Sequence, residues 1–214
     1  MSELATPSIH STNAKRLIKD ITDICKHPLH NEGIFYQHDA DNMLKGYAMI
    51  IGPMHGLYAN GIYFFIFNFP TDYPFSPPIV EYCTNDGSTR FNPNLYRQGK
   101  VCLSILNTWK GDSWTACQSI RSVLLQLLLL FHDKPLLNEP GVTITHRDFK
   151  NYHEIIQYKN LQHSIYSQLK NQQPCPFFSL FEKDIVNHIK DHIDDIIIKC
   201  ETFANIHTKP KTIT

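Results

Sequence analysis

Arg90 to Trp114 reads RFNPNLYRQGKVCLSILNTWKGDSW. An Asn-Pro-Asn turn (Asn92, Pro93, Asn94) opens it, and Gly99 centres a bend. Cys102 follows between Val101 and Leu103, and a loop carrying Trp109 and Trp114 closes the stretch. From Thr84 to Trp114 there is no long periodic segment, and a loop of that length inside a compact domain is usually functional. Just upstream, FNFPTDYPFSPPIV (Phe67 to Val80) is dense in proline and aromatic residues. Cys102 is the candidate nucleophile, because a thiolate is intrinsically nucleophilic. Taken alone, Val-Cys-Leu reads as a buried core thiol. The surrounding pattern turns the reading towards chemistry.

The flanks supply the frame. Upstream, Leu17, Ile18, Ile21, Ile24 and Cys25 recur at helical spacing, with Thr12 or Asn13 as the cap and Pro28 as the stop. Ile34–Tyr36, Met43–Ile51, Gly61–Phe69 and Pro78–Cys83 read as four strands of an antiparallel meander, the last an edge strand because Pro78 opens it. Downstream, Thr115 to about Phe131 is a helix apolar nearly all round, expected at the centre. Asp148–Lys170 is a polar-faced helix with Phe149, Tyr152, Ile155, Ile156 and Leu161 inward. After a break at Asn171–Pro176, Leu180–Phe203 forms a last helix with Ile185, Ile189, Ile193, Ile196 and Ile197 inward. The order makes an α+β fold. It divides into a flexible lead-in (1–11), a core domain (12–170), a C-terminal helical extension (171–206) and a disordered tail (207–214).

Bulk composition excludes several classes. Twenty basic and twenty acidic residues balance, which argues against nucleic-acid binding by bulk charge. The six cysteines form no C-x-x-C pair, so neither a zinc ribbon nor a disulfide-stapled fold is indicated, and a reducing compartment is favoured. The N-terminus lacks a signal-peptide run, and the apolar stretch Val123–Phe131 is too short to span a bilayer. The expectation is a soluble protein, cytoplasmic and/or nuclear, with no membrane partner and no cofactor. His188 and His192 lie four apart beside Asp184 and Asp191. That spacing can bind a metal, but a solvated helix face is expected, with no metal site.

The Pro74-x-x-Pro77-Pro78 run, then Asn-Pro-Asn, then Gly-Lys-Val-Cys-Leu resembles the ubiquitin-conjugating enzymes over about residues 12–170. The wider pattern, including Asn138-Glu139-Pro140-Gly141 and the Pro-Cys-Pro break, is most similar to the family's atypical Z-type branch. The resemblance implies a ubiquitin-conjugating fold and a thioester between Cys102 and the C-terminus of ubiquitin or a ubiquitin-like protein. The modifier arrives from an activating enzyme and leaves to a substrate lysine or a ligase. Asn94 falls where the family stabilises an oxyanion or braces the loop, and Glu139 falls in its acidic gate. Asn92 stands where the family usually has histidine, and is expected to cap the turn. Pro93, Pro74, Pro77 and Pro78 are structural parts of the motif. The partner surface maps to Lys15, Arg16 and Lys19, to Phe75, and to Trp114, Thr115 and Ala116. Trp-Thr-Ala-Cys replaces the family's Trp-Ser-Pro-Ala there, and Ser104 replaces an acidic residue two after the cysteine.

Two rivals remain: a non-catalytic scaffold of the same fold that binds ubiquitin or a conjugating partner, and a thiol hydrolase pairing Cys102 with a distant histidine. Each assigned residue also has a plainer reading. Asn94 can be a turn residue, Glu139 a solvated acid, Phe75 and Trp114 core aromatics, and the three basic residues a solvated helix face.

Overall fold

β-Branched and aromatic residues dominate residues 34–82, and four strands form there: β1 (Ile34–His38), β2 (Lys45–Ile51), β3 (Ile62–Asn68) and β4 (Ile79–Tyr82). The computed structural model describes residues 11–170 and 175–208. The strands pair antiparallel in the order β1-β2-β3-β4, with Ala48 opposite Phe65 and Phe67 opposite Val80 fixing the register. Among the described residues four α-helices accompany the sheet: α1 (Ser11–Lys26), α2 (Ile120–Leu128), α3 (Phe149–Lys159) and α4 (Glu182–Thr208). α3 continues as a wider π-turn over Asn160–Ser167.

Both faces of the sheet are covered, because successive side chains of a strand point to opposite sides. Ala48, Ile50, Tyr63, Phe65 and Phe67 face the main core with Leu17 of α1 and Val123, Leu124 and Leu127 of α2. Met49, Ile51, Ile62 and Phe64 face the other way, and Cys175, Phe177, Phe181 and Ile185 of the extension cover them. The apolar run of β3 thus reflects burial on two sides. Cys83, just past β4, donates its thiol to the Glu81 carbonyl at 3.7 Å; the neighbouring Cys175 thiol, with burial, pushes the Cys83 thiol up.

Several expectations are corrected. α1 begins by Ser11, so Thr12 and Asn13 lie in its first turn, and Asn13 Nδ2 donates to the Thr71 carbonyl at 3.1 Å. Its inward stripe is Leu17, Asp20, Ile21 and Ile24, whereas Ile18 and Cys25 are exposed. Positions 18 and 25 lie about 100° round the helix from 17 and 24. Asp20 is buried because Arg16 and Tyr73 satisfy its carboxylate. α2 is shorter than expected and buried on one side only, with Leu125 and Leu129 exposed. On α3, Ile156 is buried but Ile155 is exposed. α4 turns Ile185, Ile189, Ile196 and Phe203 inward, while Ile193 and Ile197, one position past the stripe, are exposed. The expected lead-in, most of the break and the end of the tail lie outside the described residues.

Candidate active site

A small hairpin presents Cys102. Leu95 bridges to Val101, the Tyr96 N–H donates to the Lys100 carbonyl at 2.9 Å, and the Cys102 N–H donates to the Asn94 carbonyl at 2.9 Å. Its turn closes at Gly99, whose φ of +89° suits glycine and where an added Cβ would lie 3.0 Å from the Tyr82 carbonyl oxygen. That proximity is needed, because the Tyr82 N–H donates to the Gly99 carbonyl at 2.7 Å and Glu81 bridges to Lys100. The edge strand β4 therefore anchors the hairpin, and the hairpin sets Asn94 against Cys102.

The side chains tighten this arrangement. Asn94 Nδ2 donates to the Cys102 carbonyl at 2.7 Å. On the other flank, Thr108 Oγ1 accepts the Leu103 N–H at 2.9 Å and lies 2.9 Å from the Val101 carbonyl oxygen. Cys102 is only 2% exposed, gripped through its own backbone and that of both neighbours. Asn92 is fully buried: its Oδ1 accepts the Asn94 N–H at 2.8 Å and its Nδ2 donates to the Leu130 carbonyl at 2.8 Å, so it caps the turn. Asn94, Leu103, Trp109, Leu129 and Asn138 line a shallow depression on this face. That setting explains the exposed Leu129, which lies in a stretch expected to be buried because it is apolar nearly all round.

Glu139 is not a free carboxylate. Its Oε2 lies 3.6 Å from an Arg90 guanidinium nitrogen, and Arg90 also donates to the Pro93 carbonyl and stacks over Tyr96. Glu139 thus joins the asparagine turn through Arg90. The proline run divides. Pro74, behind a cis Tyr73–Pro74 bond, and Pro78 are both buried, Pro77 is half-buried, and Pro77 and Pro78 flank the groove beside β4.

The partner residues separate into two sets. Lys15, Lys19 and Thr115 are exposed, and Phe75 is 72% exposed. Trp114, expected on that surface, is instead 7% exposed and donates from Nε1 to the Pro74 carbonyl at 2.7 Å, tying the two partner loops together. Arg16 is also a brace. It pairs with Asp20 and donates to the Ala116 and Gln118 carbonyls, which locks α1 to the loop before α2. A quarter of the Arg16 side chain stays exposed while these bonds hold it.

Thr108 and Arg90 are missed by sequence reasoning, and Asn138 stands in the quoted motif without a role of its own. The Thr108 signal is its spacing of six from the cysteine, which has no meaning until the loop closes. His188 and His192 correct another expectation. They stack at 4.3 Å half-buried, with His188 Nε2 3.0 Å from Asn60 Oδ1 and His192 Nδ1 2.8 Å from the His188 carbonyl oxygen. Among the described residues, no group of three or more His, Cys, Asp or Glu side chains could hold a metal ion, and no helix is long and apolar enough to cross a membrane.

Comparison with known proteins adds a family match and three similar relatives. Residues 16–162 match the family described as "Ubiquitin-conjugating enzyme". The human "Ubiquitin-conjugating enzyme E2 Z" is 42% identical over 164 residues, covering 75% of this chain and 46% of that protein. The Danio rerio protein of the same name is 40% identical over 178 residues, covering 81% of this chain and 54% of its own. "Probable ubiquitin-conjugating enzyme protein 17" of Caenorhabditis elegans is 37% identical over 169 residues, 73% of this chain and 23% of that protein. The chain spans about half the length of the E2 Z proteins it matches.

Proposed function

From the premise that this chain belongs to the ubiquitin-conjugating enzyme family, we propose that it carries ubiquitin, or a ubiquitin-like protein, as a thioester on Cys102. The Cys102 thiolate attacks the thioester carbonyl presented by an activating enzyme. A new C–S bond forms, the old one breaks, and the released thiolate takes a proton. A lysine amine then attacks the same carbon. The C–N bond forms, the Cys102–acyl bond breaks, and the surplus amine proton leaves to a base or to solvent. Passage to a ligase cysteine follows the first pattern.

The observation that carries this reading is the Asn94–Cys102 hairpin. It fixes a carboxamide donor on the backbone of the one cysteine in the family motif. Charge develops on the carbonyl oxygen in both steps, and losing one preorganised donor costs roughly 2.7–4 kcal/mol in comparable acyl transfers. Glu139 orients the incoming lysine from beside Arg90. Lys15, Lys19, Phe75 and Thr115 form the surface that meets the activating enzyme and the ligase. The thiol chemistry suits a reducing compartment, cytoplasmic or nuclear.

The test is a loading assay with ATP, ubiquitin and each activating enzyme. A one-ubiquitin adduct that reductant removes, and that Cys102→Ala abolishes, is the expected result. No adduct with any activating enzyme would overturn carriage of ubiquitin and leave a different modifier or the scaffold reading.

A further inference from the structure

We infer that Asn138 and His132 are positioning residues for the transfer step, acting through Asn92 on Asn94. The inference rests on the proposed thioester chemistry and deepens it. Asn138 Nδ2 lies 3.4 Å from Asn92 Oδ1, the same oxygen that accepts the Asn94 N–H at 2.8 Å. On its other side, Asn138 Oδ1 lies 3.1 Å from His132 Nε2. The Lys134 N–H points at His132 Nδ1 from 3.2 Å. An Nδ1 that accepts leaves Nε2 as the protonated nitrogen, so Nε2–H donates to Asn138 Oδ1. That bond decides which end of the Asn138 carboxamide faces Asn92: the donor end does. Two donors then converge on Asn92 Oδ1 while its Nδ2 holds the Leu130 carbonyl. The turn that sets Asn94 against Cys102 is thus pinned from the end of α2 and from the loop beyond it.

Asn138 and Asn94 also line the same depression. The step most exposed to this network is discharge to an amine. During loading, the acyl group is presented by the activating enzyme. During discharge it rests on this chain alone, and the placement of Asn94 decides how well the oxyanion is met. Displacements of about 1 Å at such a site can cost up to about a hundredfold in rate.

The experiment measures loading and single-turnover discharge to free lysine separately, across lysine concentrations, with thermal melts alongside. Asn138→Ala is expected to load within about twofold of the wild type and to lower the maximal discharge rate about tenfold, with the half-saturating lysine concentration unchanged. His132→Ala should show the same defect more weakly. His132→Gln, which keeps an N–H donor, should recover most of the rate. Unchanged discharge in Asn138→Ala would overturn the inference. So would an equal fall in loading, discharge and melting temperature, which marks general damage. A wild type that forms no thioester at all overturns the underlying function, and the inference with it.

Discussion

The Asn94 carboxamide nitrogen sits 2.7 Å from the Cys102 carbonyl oxygen, while the Cys102 N–H sits 2.9 Å from the Asn94 carbonyl oxygen. Side chain and backbone of one residue therefore grip the backbone of the other. Asn94 Oδ1 is buried with no hydrogen-bond partner among the described residues, so the donor side sets the orientation of the carboxamide.

Asn94→Ala removes the donor and leaves the Cys102 carbonyl unpaired. Discharge to lysine is expected to fall about a hundredfold or more, the scale of a lost oxyanion donor. Asn94→Gln, one methylene longer, should not rescue it. Rates of the separated half-reactions test this. A variant that loses stability but keeps its discharge rate would assign Asn94 to bracing alone.

Arg90 and Glu139 should behave unequally. Their ion pair is half-exposed, and such pairs contribute about 0–1 kcal/mol. Glu139→Gln is therefore expected to leave the urea midpoint almost unmoved while raising the lysine concentration needed for discharge. Arg90→Ala also removes the Pro93 contact and the Tyr96 stack, so it should destabilise more. Urea unfolding and lysine titrations on both variants decide the point.

Trp114→Phe keeps an aromatic ring, smaller than the indole, but deletes the donor to Pro74. The buried carbonyl is left unpaired at a cost of about 1–3 kcal/mol. Phe75 sits on the tethered loop, so loading by the activating enzyme should slow as well. Chemical denaturation and initial loading rates measure the two effects independently.

Stability should fall in two acid ranges. Burial holds the His163 imidazole below its usual value, despite the nearby Asp86 carboxylate. The unfolded chain takes up that proton near pH 6.5 and the folded chain lower, so this contribution is present above about pH 6.5 and lost as pH falls. Burial also lowers His38 and His188, so His163→Gln should flatten this range rather than abolish it. Burial opposes ionisation of Asp86, but hydrogen bonds from Lys159 and Thr89 outweigh it and hold the carboxyl well below the usual range. Its contribution is present above about pH 4 and lost below. Asp86→Asn should shrink that second range and, by removing the carboxylate that supports the His163 imidazolium, deepen the first, read from urea midpoints against pH.

Phe181 tests how the extension is held. It is buried against Phe64 on the outer face of the sheet. Phe181→Ala should cost about 3–5 kcal/mol and expose Met49 and Ile51. Hydrogen exchange should quicken in α4 before it does in α1.

The sequence by itself determined the order of elements, the antiparallel sheet, the family and the cysteine to examine. Those properties live in local periodicity, turn residues and a contiguous motif. Tertiary structure decided which face of each helix is inward, because a stripe one residue off differs by only about 100°. It alone showed Asp20 to be buried, since that depends on Arg16 and the distant Tyr73 reaching one carboxylate. It turned Trp114 from a contact surface into a brace, since its partner carbonyl lies forty residues away. The link from His132 through Asn138 and Asn92 to Asn94 also had no signature in spacing. Its members come from separate loops, and their roles follow from hydrogen-bond direction, which exists only once the chain has folded.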